Sequence, residues 1–251
     1  MDTNQYEHLK KKAKKLRKEF IDLCLEHKEA HIGGSLSLIE IILTIYEIVL
    51  KSEDKFVLSK GHSSFPYYLV LREKGYDPHI GTHPEIDPKN GIHCTTGSLG
   101  HGLPISTGMA LARKIKHTPG KIYVLMSDGE CQEGTTWESM LIAAHHQLSN
   151  LVVIVDYNKI QALSRIDDAL SLHNLAQKWQ AFNWHVQEVD GHSFSELTHA
   201  FKNTSSEKPS VILAHTTKGK GISCFENDPK WHSRLPKNEE IAMAFKELQQ
   251  N

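Results

Sequence analysis

The 251-residue chain contains only four cysteines, at 24, 94, 131 and 224, and no C-x-x-C pair. Neither a disulfide framework nor a cysteine zinc site fits that spacing. No apolar run reaches the ~18 residues that suggest a membrane span. No apolar core follows the first charges, so no secretory leader is expected. The formal net charge is only −1, so no global field draws the chain to nucleic acid or to an anionic membrane. No G-x-G-x-x-G follows a strand with an acidic residue about 20 positions later, which argues against a dinucleotide module. Internal repeats and low-complexity linkers are missing too. What remains is an ordinary soluble composition, 39% hydrophobic and 24% charged, read as one domain over 1–251 and expected in the cytoplasm.

Histidine, by contrast, is plentiful, at 17 residues. The count matters only if several lie in loops beside one site. A basic run, Lys10, Lys11, Lys12, Lys14, Lys15, Arg17 and Lys18, reads as a solvated helix face.

Apolar spacing predicts a helix over 5–29, a loop at His31–Gly34, and a second helix capped by Ser35 or Ser37 and reaching Val49. A short strand is expected at Phe56–Ser59 and a helix at Phe65–Lys74. Residues 75–104 form a long Gly-, Pro- and His-rich connection of the kind that is functional or disordered. Then come a helix at Ser106–Lys116, a strand at Lys121–Met126, a helix at Thr135–Leu148 and a strand at Leu151–Val155. A helix over 172–182, a strand at His185–Val189, a helix over 193–203 and a strand at Val211–His215 follow. Strands apolar on both faces, alternating with helices, predict an α/β fold: a mostly parallel sheet with helices on both faces.

Ligands of such sheets bind beyond the carboxyl ends of the strands. Two polar clusters fall there, Ser127-Asp128-Gly129 and Asp156-Tyr157-Asn158, separated by one helix. Alone, each also reads as a plain turn or a cap. Together, on neighbouring strands, they suit one magnesium ion, which takes oxygen ligands and commonly shares them with phosphates. The Asp128 carboxylate, the Asn158 amide oxygen and the Ile160 carbonyl are the candidate ligands. Gly129 permits a tight turn beside a phosphate.

The segment Ser127-Asp128-Gly129 … Asp156-Tyr157-Asn158-Lys159-Ile160 resembles the thiamine-diphosphate motif. Further stretches resemble the transketolase family: His31-Ile32-Gly33-Gly34, Ser59-Lys60-Gly61-His62, Thr82-His83-Pro84-Glu85, Thr95 to Gly102, Asp128 to Gly134, Trp184-His185-Val186, Asp190-Gly191-His192 and Lys218 to Gly221. The resemblance runs from about residue 10 to 235. It implies thiamine diphosphate as cofactor, with Mg2+ (or Ca2+ or Mn2+ in its place) on Asp128, Asn158 and Ile160. It further implies a cofactor contact surface of His62, Ser98, Leu99, Gly100, Gly129, Glu130 and Asn158. His31, His62, His83 and His232 would line the substrate channel, binding sugar hydroxyls and moving protons, as histidine can near neutral pH. Glu133 would sit at a dimer interface in a proton network. The sequence departs from the family at His101 (usually Gln), Ser127 (usually Gly), the Trp231-His232-Ser233-Arg234 surroundings, and Gln161-Ala162-Leu163-Ser164, which lacks the usual Asp-Gly.

The resemblance also implies a missing half. The family's pyrimidine-binding domain has no counterpart in 1–251, so a separate C-terminal subunit is expected, in a heterotetramer with two chains of each kind. The implied reaction is transfer of a two-carbon ketol unit from a sugar or sugar phosphate to an aldose. Two alternatives stay open: a related synthase or decarboxylase subunit with a 2-oxo acid donor, and a degenerate scaffold subunit.

Overall fold

The computed structural model describes residues 3–28, 31–162 and 164–250. In chain order its first part runs α1 (Thr3–His27), α2 (Ile32–Ser37), α3 (Ile39–Thr44), β1 (Lys55–Leu58), α4 (Ser64–Glu73), α5 (Gly102–Ile115) and β2 (Ile122–Ser127). After these come α6 (Gly134–His145), β3 (Leu151–Tyr157), the short β4 (Ile160–Gln161) and β5 (Ser164–Arg165), α7 (Ile166–Leu170) and α8 (Leu175–Ala181). The chain continues through β6 (His185–Asp190), α9 (Phe194–Lys202), β7 (Ser210–His215) and α10 (Asn238–Gln250). Five strands form one parallel sheet in the order β1-β2-β3-β7-β6, and β4 pairs antiparallel with β5.

The near-continuous apolar runs of β2 and β3 follow from this burial. Ile122, Val124 and Met126 join Val153, Val155, Val211 and Leu213 in a core under α5, α6 and α8. The alternate residues Tyr123, Leu125, Val152, Ile154, Ile212 and Ala214 join a second core, which α1–α4, α9 and α10 cover. A strand covered on both sides has no solvent face, so its positions are apolar except near the strand ends, where Ser127, Asp156 and Ser210 are buried. Each such Val, Leu or Ile contributes about 1.5–3 kcal/mol by leaving water.

The α/β expectation holds; several boundaries do not. Ile32–Gly34, read as loop, begins helix α2, and the predicted second helix is three pieces: α2, α3 and a π turn at Ile45–Val49. Gly33 and Gly34 disfavour helix intrinsically, but complete burial of α2 overrides propensity. The helix expected at 172–182 begins only at Leu175, after the separate turn α7. The hairpin β4–β5 and helix α10 have no counterpart in the sequence expectation. Glu29, the expected end of the first helix, lies outside the described residues. The basic run is not wholly solvated either: Arg17 is buried on Glu40 at 2.6 Å, and Lys12 bonds Glu47 at 2.6 Å. Among the described residues no helix is long and apolar enough to cross a membrane.

Candidate active site and cofactor cradle

Four adjacent strands, β1, β2, β3 and β7, end on the same side, and the segments leaving them build one cavity of about 230 Å3. Its floor carries Asp128, Gly129, Asn158 and Ile160, and Lys60 and Lys218 reach it from the segments after β1 and β7. Register explains the floor. Ser127 pairs with Asp156 across β2 and β3, so Asp128 and Asn158 both emerge just past that pair. Hydrogen bonds also tie the two tips together: Asp128 Oδ2 accepts from the Lys159 N–H at 2.6 Å, and Oδ1 accepts from the Gly129 N–H at 2.8 Å. Asn158 Oδ1 accepts from the Ile160 N–H at 3.1 Å. Lys218 Nζ donates to the Ile160 carbonyl at 3.1 Å.

Buried charge is concentrated here. Burial, with Asp156 nearby, pushes the Asp128 carboxyl up to about 6. Burial also works to raise Asp156, but the Lys60 ammonium and hydrogen bonds from Lys60, Ser37 and Thr216 overcome it and hold that carboxyl low. Burial, with Lys60 nearby, lowers the Lys218 amine to about 8. A buried carboxylate whose pKa is driven up is one that a cation would stabilise. The oxygen set of carboxylate, amide and carbonyl is the chemistry of a hard divalent ion that completes its shell with phosphate oxygens. The residues therefore fit magnesium and a diphosphate. Among the described residues no group of three or more His, Cys, Asp or Glu is placed to hold a metal ion, so this mixed oxygen set differs from a carboxylate or histidine metal cluster.

The histidines converge on the other side. The His31 ring lies 5.6 Å from that of His62, 5.4 Å from His232 and 6.4 Å from His83, and His62 lies 5.6 Å from His232. His62 and His232 line the cavity itself. Burial, then Lys60, His232 and His31, drives the His62 pKa well below its ordinary value, and burial with Lys218 nearby takes His232 to about 4. Both are therefore neutral at pH 7, able to donate from one nitrogen and accept at the other. His83 is exposed and packs beside Gly97.

The remaining expected site residues separate into two groups. Leu99 and Glu133 line the cavity. Ser98 Oγ lies 3.2 Å from His101 Nδ1. Glu130 is buried and holds the loops together: its carboxylate accepts from Ser59 Oγ at 2.5 Å, the Gly100 N–H at 3.0 Å and the Ser127 N–H at 2.8 Å. Gly100 needs to be glycine: its φ is +77°, and a Cβ would stand 2.5 Å from Glu133 Cβ. Of the departures, Ser127 is not among the described positive-φ residues, so it replaces glycine without backbone strain, whereas Ala162 sits at φ +24°. Leu163 lies outside the described residues. Sequence reasoning gave no role to Lys60, Asp156 or Lys218, nor to the cavity-lining Gln132 and Gln161. A lysine is so seldom buried that its type alone gave no signal.

Residues 9–251 match the family described as transketolase, thiamine diphosphate binding domain. The chain belongs to the transketolase family. This transketolase-type transferase chain is 37% identical to a subunit of the apulose-4-phosphate transketolase of Actinobacillus succinogenes, over 97% of this chain and 96% of that protein. It is 36% identical to the 6-deoxy-6-sulfo-D-fructose transketolase subunit SqwG of a Clostridium species, over 87% and 88% of the two chains. Human transketolase is 34% identical over 94% of this chain but only 41% of its own length. Among solved structures, Campylobacter jejuni transketolase superposes with a TM-score of 0.87 at 26% identity, covering 99% of this chain. This transketolase-family chain spans 43% of that structure's chain.

Proposed function

We propose that the chain is the diphosphate-binding subunit of a split transketolase, which transfers a two-carbon ketol unit from a ketose, phosphorylated or otherwise specialised, to an aldose acceptor. The observation that carries this reading is the buried Asp128 carboxylate in one cavity with Asn158, Ile160, His62 and His232. Asp128, Asn158 and Ile160 would hold Mg2+, and Lys218 and the Gly129 backbone would hold the diphosphate. Bound thiamine diphosphate supplies the carbon nucleophile of the reaction. His31, His62, His83 and His232 would orient the sugar hydroxyls, and the neutral rings of His62 and His232 would donate N–H hydrogen bonds to the substrate carbonyl oxygen as it becomes an alkoxide and would take up the proton that a neighbouring hydroxyl releases.

The partner would be a second chain carrying the pyrimidine-binding domain, two of each assembling as a heterotetramer in the cytoplasm. Relatives that are themselves named as transketolase subunits, matched over nearly their whole length, support the division. Glu133, on the cavity rim at the start of α6, would face the neighbouring chain.

The test is reconstitution. The full chain and its companion are mixed with thiamine diphosphate and magnesium and assayed with a ketose phosphate plus an aldose, and separately with pyruvate. Ketol transfer is expected. Carbon dioxide release from pyruvate alone would move the chain to the 2-oxo acid branch. Neither activity, with cofactor binding unaltered in Asp128→Ala, would make it a scaffold.

A further inference from the structure

Lys218 reaches the cavity from the irregular segment after β7, and a flexible lysine is useful there only if its backbone is held. The hold comes from a buried cluster on the far side of that segment. Glu40 of α3 is buried, and one of its carboxylate oxygens, Oε1, accepts from Arg17 Nη2 of α1 at 2.6 Å. The other, Oε2, lies 3.0 Å from His192 Nδ1. His192 Nε2 lies 2.8 Å from the Thr217 backbone N–H. A backbone N–H can only donate, so Nε2 accepts, the ring proton sits on Nδ1, and Nδ1 donates to Glu40. Arg17 closes the grip from the other end: its Nε donates to the Lys220 carbonyl at 2.9 Å. One carboxylate thus anchors both contacts that flank Lys218, at Thr217 and at Lys220.

The cluster draws on helices α1 and α3 and the β6–α9 turn, none of which follows β7 in sequence. Two further features make the placement narrow. The Gly219 N–H donates to the Gly33 carbonyl at 2.9 Å. A Cβ on Gly33 would stand 2.9 Å from Lys218 Cγ, so the lysine stem passes directly over α2.

We propose that Glu40 and His192, with Arg17, are positioning residues that hold the 216–221 loop so that Lys218 presents its ammonium to the anionic end of the cofactor. This rests on the diphosphate reading of the cavity. The three side chains do not line the cavity. They act through backbone, as outer-shell groups fix the aim of groups that touch a ligand.

Hydrogen–deuterium exchange of the full chain reads the loop without cofactor. Glu40→Gln keeps the shape, but its single amide oxygen accepts from Arg17 or from His192, not both. His192→Phe keeps the ring and loses both hydrogen bonds. In each, peptides covering 216–221 are expected to exchange about tenfold faster while β2 and β3 keep their protection, because local opening is a separate event from global unfolding. His192→Gln, which offers an acceptor to Thr217 and a donor to Glu40, is expected to restore slow exchange. Calorimetric titration of magnesium thiamine diphosphate onto the same proteins is expected to give a Kd raised about tenfold in the first two variants and recovered in the third. Unchanged exchange at 216–221 in both Glu40→Gln and His192→Phe would overturn the proposal, and so would equal loss of protection in β2 and β3. A wild-type chain that binds no magnesium thiamine diphosphate overturns the diphosphate reading instead, while the exchange result still decides the hold on the loop.

Discussion

Asp128 and Asp156 are both buried aspartates at the tips of adjacent strands, one residue apart in register, yet their surroundings treat them oppositely. Asp156 is fully neutralised: Lys60 forms an ion pair with one oxygen, Ser37 donates to the same oxygen at 2.5 Å, and Thr216 donates to the other. Asp128 receives hydrogen bonds from the backbone N–H groups of Gly129 and Lys159, and burial drives its carboxyl up to about 6. Asp156 is a finished structural pair that ties α2, β1, β3 and β7 beneath the cavity. Asp128 is a carboxylate held in shape by backbone N–H groups, and Lys60 only partly offsets its burial, the condition in which a divalent cation adds most. The difference shows how one sheet edge carries both a strut and a candidate ligand.

The comparison breaks first at the strut. Lys60→Met leaves Asp156 charged and unpaired in the core and is expected to cost about 3–5 kcal/mol of folding stability. The double variant Lys60→Met/Asp156→Leu, which removes both charges, is expected to recover much of that. Urea denaturation of the three proteins measures it; equal stabilities would mean that the pair carries no structural weight.

Next is the ligand. Asp128→Ala is expected to weaken magnesium-dependent thiamine diphosphate binding about 100-fold or more while leaving the unfolding midpoint near that of the parent. Titration calorimetry with and without chelator separates the two effects. A large loss of stability with cofactor binding retained would exchange the roles assigned to the two aspartates.

The smallest effect is in acid, where Asp128 and His232 pull in opposite directions. The Asp128 carboxyl is near 6 in the fold against an ordinary 3.8, so the folded metal-free chain takes up its proton first. Its stabilising contribution is full below pH 3.8 and is lost as pH rises through 6. His232 is near 4 in the fold against an ordinary 6.5, so the unfolded chain takes up its proton first. Its contribution is full above pH 6.5 and is lost as pH falls through 4. In metal-free protein, Asp128→Asn should therefore steepen the fall in stability from pH 7 to pH 5, and His232→Gln should flatten it. Denaturant midpoints at those two pH values give both slopes, and slopes that move together would remove the charge argument.

Much of the candidate site was legible because its parts lie close to strand ends. The apolar runs at 121–126 and 151–155 located β2 and β3 within a residue or two. Parallel geometry then put Asp128 and Asn158 on one edge, and the Ile160 carbonyl followed two residues on. The histidines were legible only through their resemblance to a known pattern: nothing in the spacing of 31, 62, 83 and 232 says that the rings of the first three and the last gather within a few ångströms. Glu130 is a candidate cofactor contact through the resemblance, and the structure adds that its carboxylate is engaged by Ser59, Gly100 and Ser127. Arg17, counted with solvated lysines, belongs to the buried cluster behind Lys218. Pattern and periodicity report which face of an element is covered, and they do not report which polar group waits beneath the cover.

The amino-acid order alone determined the parallel sheet and the candidate oxygen ligands at its edge, because strand periodicity, turn chemistry and the two-strand spacing are local properties. Only the tertiary structure decided that Lys60 pairs with Asp156 rather than with Asp128, that the rings of His62, His83 and His232 gather around His31, and that Glu40 connects through Arg17 and His192 to the loop of Lys218. Those assignments depend on the distance between groups far apart in the chain. At such buried positions, removal from water makes charge so costly that each partner, present or absent, sets what the group can do.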